Sequence, residues 1–218
     1  MTKGLFISFE GTEGCGKSTQ VELLARQLRL LGHRVRTLRE PGGTPIGEEI
    51  RHTLKHSQGN AAMTAEAELL LMNASRAQLV REVIRPALDT GEIVLCDRFY
   101  DSTTAYQGYG RGLDLEKVKT VIDFAVGETR PDLTLLFTVA PEISELRRAM
   151  RQSTLPFIRD RIEESDREFF QRVDQGFATL AAAETGRVKV VEASGSVENV
   201  FTKIWALVQP ALPKVGRW

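Results

Sequence analysis

Gly11-Thr12-Glu13-Gly14-Cys15-Gly16-Lys17-Ser18 constrains this chain more than any other stretch. A short apolar run, Leu5 to Glu10, precedes it and reads as a buried strand; leucines and alanines at helical spacing follow, from Lys17 to Leu31. Gly-x-x-x-x-Gly-Lys-Ser between a strand and a helix is a phosphate-binding loop in its expected setting. Its glycines let the backbone close around an anion, with successive N–H groups and the helix N-terminus aimed inward. The anion that fits is the triphosphate of a nucleotide, bound by Gly11, Thr12, Glu13, Gly14, Cys15, Gly16, Lys17, Ser18 and Thr19. Lys17 is placed to neutralise the β- and γ-phosphates and Ser18 to ligate Mg²⁺.

The 218 residues suffice for one well-buried α/β domain, and a single domain over 1–218 is expected. Lysine plus arginine and aspartate plus glutamate both number 29, so the overall charge points to neither a nucleic acid nor an anionic membrane as partner. The chain enters its first strand directly after Met1-Thr2-Lys3, and no apolar run approaches about 18 residues, so a cytoplasmic protein is expected. Cys15 and Cys96 form no disulfide framework, and His33, His52 and His56 have no partners at metal-ligand spacing.

Further strands are expected at Val35 to Leu38, Ile93 to Asp97, Leu133 to Val139 and Val188 to Val191, alternating with helical patterns. This alternation predicts a five-stranded parallel sheet with helices on both faces. Arg39-Glu40-Pro41-Gly42-Gly43-Thr44-Pro45 reads as a shaped loop at a strand end, where open α/β sheets bind ligands. The helix from Thr64 to about Leu88 is apolar on more than one face, which points to burial by another layer or a second subunit. Ser102 to Gly112, polar, aromatic and glycine-rich, reads as a binding loop, and a helix is expected from Ile162 to about Glu184.

Ile93-Val94-Leu95-Cys96-Asp97 places a carboxylate at the ligand edge of the sheet, where Asp97 joins Ser18 as a metal ligand. A GTPase would follow that aspartate with glycine three residues on and carry Asn-Lys-x-Asp; here Arg98-Phe99-Tyr100 follows and the base-reading motif is absent. Arginine beside the metal aspartate makes sense where a second phosphate is held next to the first, because the two anions repel unless cations lie between them.

Phe-Glu-Gly-Thr-Glu-Gly-Cys-Gly-Lys-Ser-Thr, Arg-Glu-Pro-Gly-Gly-Thr, Asp-Arg-Phe-x-x-Ser-x-x-Ala-Tyr-Gln-Gly-x-Gly-Arg, Arg-Pro-Asp-Leu-Thr and Asp-Arg-Ile-Glu occur in that order, and over nearly its whole length the chain resembles bacterial thymidylate kinases. The resemblance implies Mg²⁺-dependent transfer of the ATP γ-phosphoryl group to dTMP in support of dTTP supply, and a homodimer formed through the helix around 64–88. It implies that Glu13 helps hold the acceptor's 3′-hydroxyl, that Arg98 and Arg51 hold its phosphate with Arg39 nearby, and that Arg76 bonds the thymine carbonyl. Thr103 is then a partner for the imide edge, Tyr106 fills the space of a ribose 2′-hydroxyl, and Gln107 and Pro41 belong to the same walls.

Two positions depart from that pattern. Met72 stands where the family commonly has a phenylalanine stacked on thymine; a thioether covers a base face but lacks a flat ring's geometry. The other is the lid within about 148–162. With no basic residue between Glu13 and Lys17, the resemblance implies that lid arginines supply catalytic charge. Here Met150 and Gln152 interrupt the usual arginine run and Ser153 to Ile158 precede Arg159, so Arg151 is expected first, then Arg159 and Arg148. Two other readings remain at this point: a kinase of another nucleoside or nucleotide, against which the cluster Arg39, Arg51 and Arg98 speaks, and an ATP-responsive module that regulates a partner.

Overall fold

The computed structural model describes residues 3–154, 161–162 and 165–213. Strands β1 (Leu5–Glu10), β2 (Val35–Arg39), β3 (Ile93–Asp97), β4 (Leu133–Thr138) and β5 (Val188–Glu192) form one sheet in the order β2-β3-β1-β4-β5. Every pairing is parallel. Alternation along β1 divides the core. Leu5, Ile7 and Phe9 face helices α1 (Lys17–Leu30) and α9 (Val197–Val208), through Leu24, Leu28, Ile204 and Val208. Phe6 faces the other layer, where α3 (Ala65–Leu79) and α6 (Leu115–Val126) pack with Leu79, Ile84, Val118 and Ile122. Helix α8 (Arg167–Ala183) completes that layer over Leu136 and Val188.

The connections leaving β1 and β3 run to opposite sides of the sheet, which opens a crevice at the strands' carboxyl ends. Register brings the chemistry there. Phe9 and Arg39 both pair with Asp97, so the ends of β1, β2 and β3 lie side by side. Helix α2 (Pro45–Lys55), capped by Thr44, whose hydroxyl accepts from Gly47 N at 3.0 Å, leads away from the loop after β2. Helix α7 (Pro141–Thr154) follows β4.

Three segments differ from the sequence reading. The helix expected from Thr64 to about Leu88 is not uniform: a π turn at Val80–Ile84 lies between α3 and a short helix α4 (Arg85–Asp89) that has Pro86 in its first turn. Residues 102–112, expected as a loop, are mostly helical: α5 (Tyr100–Thr103) runs into a π segment at Thr104–Gly110. Two of the glycines that suggested a loop, Gly108 and Gly110, serve close packing. A β-carbon on Gly110 would stand 2.6 Å from the Phe169 ring. Helix α8 begins at Arg167, five residues later than expected from Ile162, because the Asp166 carboxylate caps it by accepting from Phe169 N at 2.7 Å. The lid expected over 148–162 falls largely outside the described residues.

A buried charge pair ties α5 to the turn before β5. Arg187 donates to both carboxylate oxygens of Asp101, at 2.7 and 2.9 Å, and lies over the Tyr100 ring. Asp101 is only 2% exposed, so removing its partner leaves a buried charge uncompensated. Arg187→Met is expected to cost about 3–5 kcal/mol and to lower Tm by about 10 °C in differential scanning calorimetry.

Candidate active site

One cavity of about 520 Å³ follows the carboxyl edge of the sheet from the phosphate loop to the start of α8. At one end Glu13, Gly14, Gly16, Lys17, Ser18 and Thr19 line it. Gly11, Thr12 and Cys15 form the back of the loop: Gly11 has φ 128°, and a β-carbon there would meet Phe137 O at 2.4 Å, so the turn closes only on glycine. Lys17 is nearly buried and donates to Gly11 O at 3.1 Å and Thr12 O at 2.8 Å, beside the Cys15 thiol at 3.4 Å. Ser18 Oγ donates to Asp97 Oδ2 at 2.6 Å. Two hard oxygen donors therefore adjoin the loop, the donor chemistry that suits Mg²⁺.

At the end of β3 the chain turns sharply. Arg98 adopts a left-handed conformation, φ 69°, uncommon for a residue with a side chain. Glu10, at the end of β1, secures this turn: its carboxyl accepts from Phe99 N at 2.7 Å and bonds Ser102 Oγ. Arg98 in turn donates to Ser102 Oγ at 3.0 Å, reaches the Tyr106 hydroxyl at 3.4 Å and lies 4.0 Å from Glu13. Its guanidinium stands midway along the cavity wall. Burial, followed by the nearby Asp101 charge, pushes the Glu10 carboxyl up to about 8, and burial pushes the Tyr106 phenol up to about 12.

The opposite wall comes from the loop after β2 and from α2. Arg51 donates to Pro41 O at 2.8 Å, and Arg39 bonds Glu48 at 2.9 Å; Arg39, Pro41 and Arg51 all line the cavity. Ser75 on α3 holds the loop by accepting from Gly42 N at 3.1 Å. Lys55 and His56 extend this wall.

The far end is mostly uncharged. Met72, Thr103, Tyr106, Gln107, Ile162 and Phe170 line it together with Arg76. Arg76 is buried and committed: it bonds Glu40 through Nε at 2.8 Å, Asn73 Oδ1 at 2.8 Å and Phe99 O at 3.4 Å, with Nη2 also 2.7 Å from Glu40. These bonds leave part of its donor fork for the cavity.

The structure thus brings Arg39, Pro41, Arg51, Met72, Arg76, Asp97, Arg98, Thr103, Tyr106 and Gln107 to one cavity with the phosphate loop. The side chains of Arg148 and Arg151, and all of Arg159, lie outside the described residues. Arg147, not among the residues selected from sequence, lines the cavity, donates to Ala193 O at 3.0 Å and stands over Gly16. Its neighbour Ser144 donates to Glu13 O at 2.6 Å, which docks α7 on the phosphate loop. Glu10, Glu40, Ser102 and Phe170 also escaped the sequence reading. Phe170 is an aromatic residue on α8 in the cavity wall where Met72 has replaced the expected ring on α3.

A family model described as thymidylate kinase matches residues 9–204. The chain belongs to the thymidylate kinase family. It is 48% identical to a thymidylate kinase of Syntrophotalea carbinolica, over 97% of this chain and 98% of that one. It is 49% identical to one of Pseudomonas syringae pv. tomato, over 96% and 97%. The crystal structure of a thymidylate kinase from Ehrlichia chaffeensis superposes with a TM-score of 0.76 at 32% identity, covering 95% of this chain and all of that one.

Glu10 gives the site a pH signature. Its folded value of about 8 lies above the ordinary 4.5, so between those values the folded protein holds a proton that the unfolded chain has lost. This contribution makes stability fall as pH rises through the window. Removing it with Glu10→Gln is therefore expected to raise the variant's Tm relative to the unaltered protein progressively from pH 5 to pH 8, as read by paired thermal melts.

Proposed function

We infer that this chain transfers the γ-phosphoryl group of ATP to dTMP, giving dTDP and ADP, and that the continuous cavity holds donor and acceptor end to end. The observation that carries the reading is the position of Arg98, between a phosphate loop and a base-sized pocket in a single cavity. Membership in the thymidylate kinase family supports it, and the family uses ATP with Mg²⁺.

On the donor side, the loop from Gly11 to Thr19 cradles the triphosphate with its N–H groups, and Lys17 supplies a positive charge at the β- and γ-phosphates. Ser18 and Asp97 are the residues that would hold Mg²⁺; when bound, the ion neutralises charge on the phosphates. On the acceptor side, Arg98 and Arg51 bind the dTMP phosphate, with Arg39 at the edge, and Glu13 orients the sugar 3′-hydroxyl. Arg98 does so from a rigid mount, since Ser102 and Glu10 fix its turn, so little ordering remains to be done on binding. Arg76, Thr103 and Gln107 face the base edge. Met72, with Phe170 beside it, covers its face, and Tyr106 occupies the volume a 2′-hydroxyl needs.

The acceptor phosphate oxygen attacks the γ-phosphorus in line, and ADP leaves with the bridging oxygen. Both partners are anions, so the residues' main work is to hold cations where charge accumulates. Arg147 lies over the phosphate loop and joins Arg151, Arg148 and Arg159 as sources of that charge from the lid.

We also assign a homodimer built on the face of α3 and α6, where Leu70, Leu115 and Phe124 are exposed, Phe124 to 84%. Among the described residues no helix is long and apolar enough to cross a membrane, which agrees with a cytoplasmic location for a dTTP-supplying enzyme.

ADP release from Mg²⁺-ATP, measured against dTMP, dUMP, dCMP, UMP, AMP and GMP, is expected to be fastest with dTMP. Arg98→Ala should lower kcat/KM for dTMP about a hundredfold or more with an unchanged melting profile. Turnover preferring another monophosphate would overturn the base assignment. Light scattering at micromolar concentration is expected to give a dimer mass, and Phe124→Glu to halve it.

A further inference from the structure

Glu68, on α3, is fully buried and does not line the cavity, yet it is bonded to one of the residues that does. Its Oε1 accepts from Gln107 Nε2 at 2.7 Å and from Arg111 Nε at 3.3 Å. Its Oε2 accepts from Arg111 Nη2 at 3.2 Å and from Arg161 Nη2. A carboxylate holds about four acceptor positions and, when ionised, no donor. Here all are in use. Gln107 can satisfy such a neighbour only by presenting its NH₂ group, which turns its amide oxygen the other way. That oxygen receives no hydrogen bond from the described residues, nor is it sealed off among the buried unpartnered atoms, so it opens to the cavity that Gln107 lines.

We propose that Glu68 is a specificity-determining positioning residue: by fixing the Gln107 amide with its oxygen facing the base, it makes the pocket accept a hydrogen bond where an imide donates one. The inference rests on the placement of the base edge at Arg76, Thr103 and Gln107 given above. Thymine and uracil carry N3–H and a 4-carbonyl. Cytosine carries an unprotonated N3 and a 4-amino group, the reverse polarity. An acceptor from Gln107 beside a donor from Arg76 matches the first edge and opposes the second. Discrimination of this kind comes from leaving polar groups unpaired with the wrong base, and it needs an amide that cannot flip. A neutral amide at position 68 removes the lock. Its oxygen satisfies the arginines and its NH₂ turns to Gln107, whose own oxygen then swings inward and whose NH₂ faces the base.

The test is the ratio of kcat/KM for dTMP to that for dCMP in the full-length enzyme. In Glu68→Gln this ratio is expected to fall about ten- to a hundredfold. Arg111→Met withdraws a guanidinium from the same carboxylate and leaves its acceptor-only chemistry, so it should lower Tm while keeping the ratio within about twofold of the unaltered enzyme. Gln107→Leu, which removes the amide, should lower the ratio as Glu68→Gln does. Equal losses in Glu68→Gln and Arg111→Met would mean simple loosening and overturn the proposal. An unchanged ratio in Glu68→Gln with a reduced one in Gln107→Leu would overturn the role of Glu68 while leaving the base edge where it is placed. An unchanged ratio in Gln107→Leu would remove the base edge from Gln107, and the proposal with it. Should Glu68→Gln not fold, the double variant Glu68→Gln/Arg111→Met, which removes a cation left uncompensated by the neutral side chain, takes its place with the same readings.

Discussion

The parallel pairing of β1 with β3, which sets Phe9 opposite Asp97, is the contact on which the rest of the site depends. It places the phosphate loop, which leaves β1, beside the Asp97-Arg98 turn, which leaves β3. One ladder of backbone hydrogen bonds thereby fixes the spacing between the phosphate loop and Arg98. β2 joins β3 in the same register and brings Arg39 and its loop into line. Phosphoryl transfer tolerates little error in the approach of two anions, and a sheet interior is among the stiffest supports a protein offers.

That support is assembled around buried acids. Glu10, Glu40, Glu68 and Asp101 are each nearly or fully enclosed, which is costly for carboxyl groups. Three of them answer the cost with arginines: Glu40 with Arg76, Glu68 with Arg111 and Arg161, Asp101 with Arg187. Among the described residues Glu10 has no such close partner and answers it by proton uptake and by hydrogen bonds to Phe99 N and Ser102. In each case the acid joins segments distant in sequence, so these groups hold the cavity wall in one arrangement.

The phosphate loop and the strand-end Asp97 that bonds its Ser18 were legible because the pattern is local: a few adjacent residues and a strand-to-helix setting carry the signal. The five strands were legible as apolar runs for the same reason. The acceptor-side assignments come from resemblance; the structure brings Thr103, Tyr106 and Gln107 to one cavity although in the sequence their stretch reads as a loop. The π segment at Thr104–Gly110 was read as a loop because glycine permits both a turn and a close approach, and only tertiary packing distinguishes the two. The sequence marks Glu10 only as the end of a strand and Glu68 only as an acid near the start of a helix; their partners lie 89 and 39 residues away. Which of the clustered arginines of α7 faces the phosphate loop depends on helix phase, set by the bond from Ser144 to Glu13 O, and sequence alone does not carry it.

The arginines of the site can be sorted by how closely each is matched to a carboxylate. Arg76 shares a buried, short contact of 2.7 Å with Glu40, so in the proposed function the pair offers a base a directed N–H with little net charge. That suits a neutral heterocycle, for which an uncompensated cation would cost desolvation without a counter-charge. Arg98 stands 4.0 Å from Glu13, beyond hydrogen-bond range, and its other nearby bonds are to hydroxyl groups. It keeps more of its positive field for an anion. With equal numbers of acidic and basic residues in the chain, the contrast between the two ends of the cavity cannot come from overall composition. Between these two arginines it comes from the distance to a carboxylate: Arg76, paired with Glu40, suits a base, and Arg98, with none at bonding distance among the described residues, suits a phosphate.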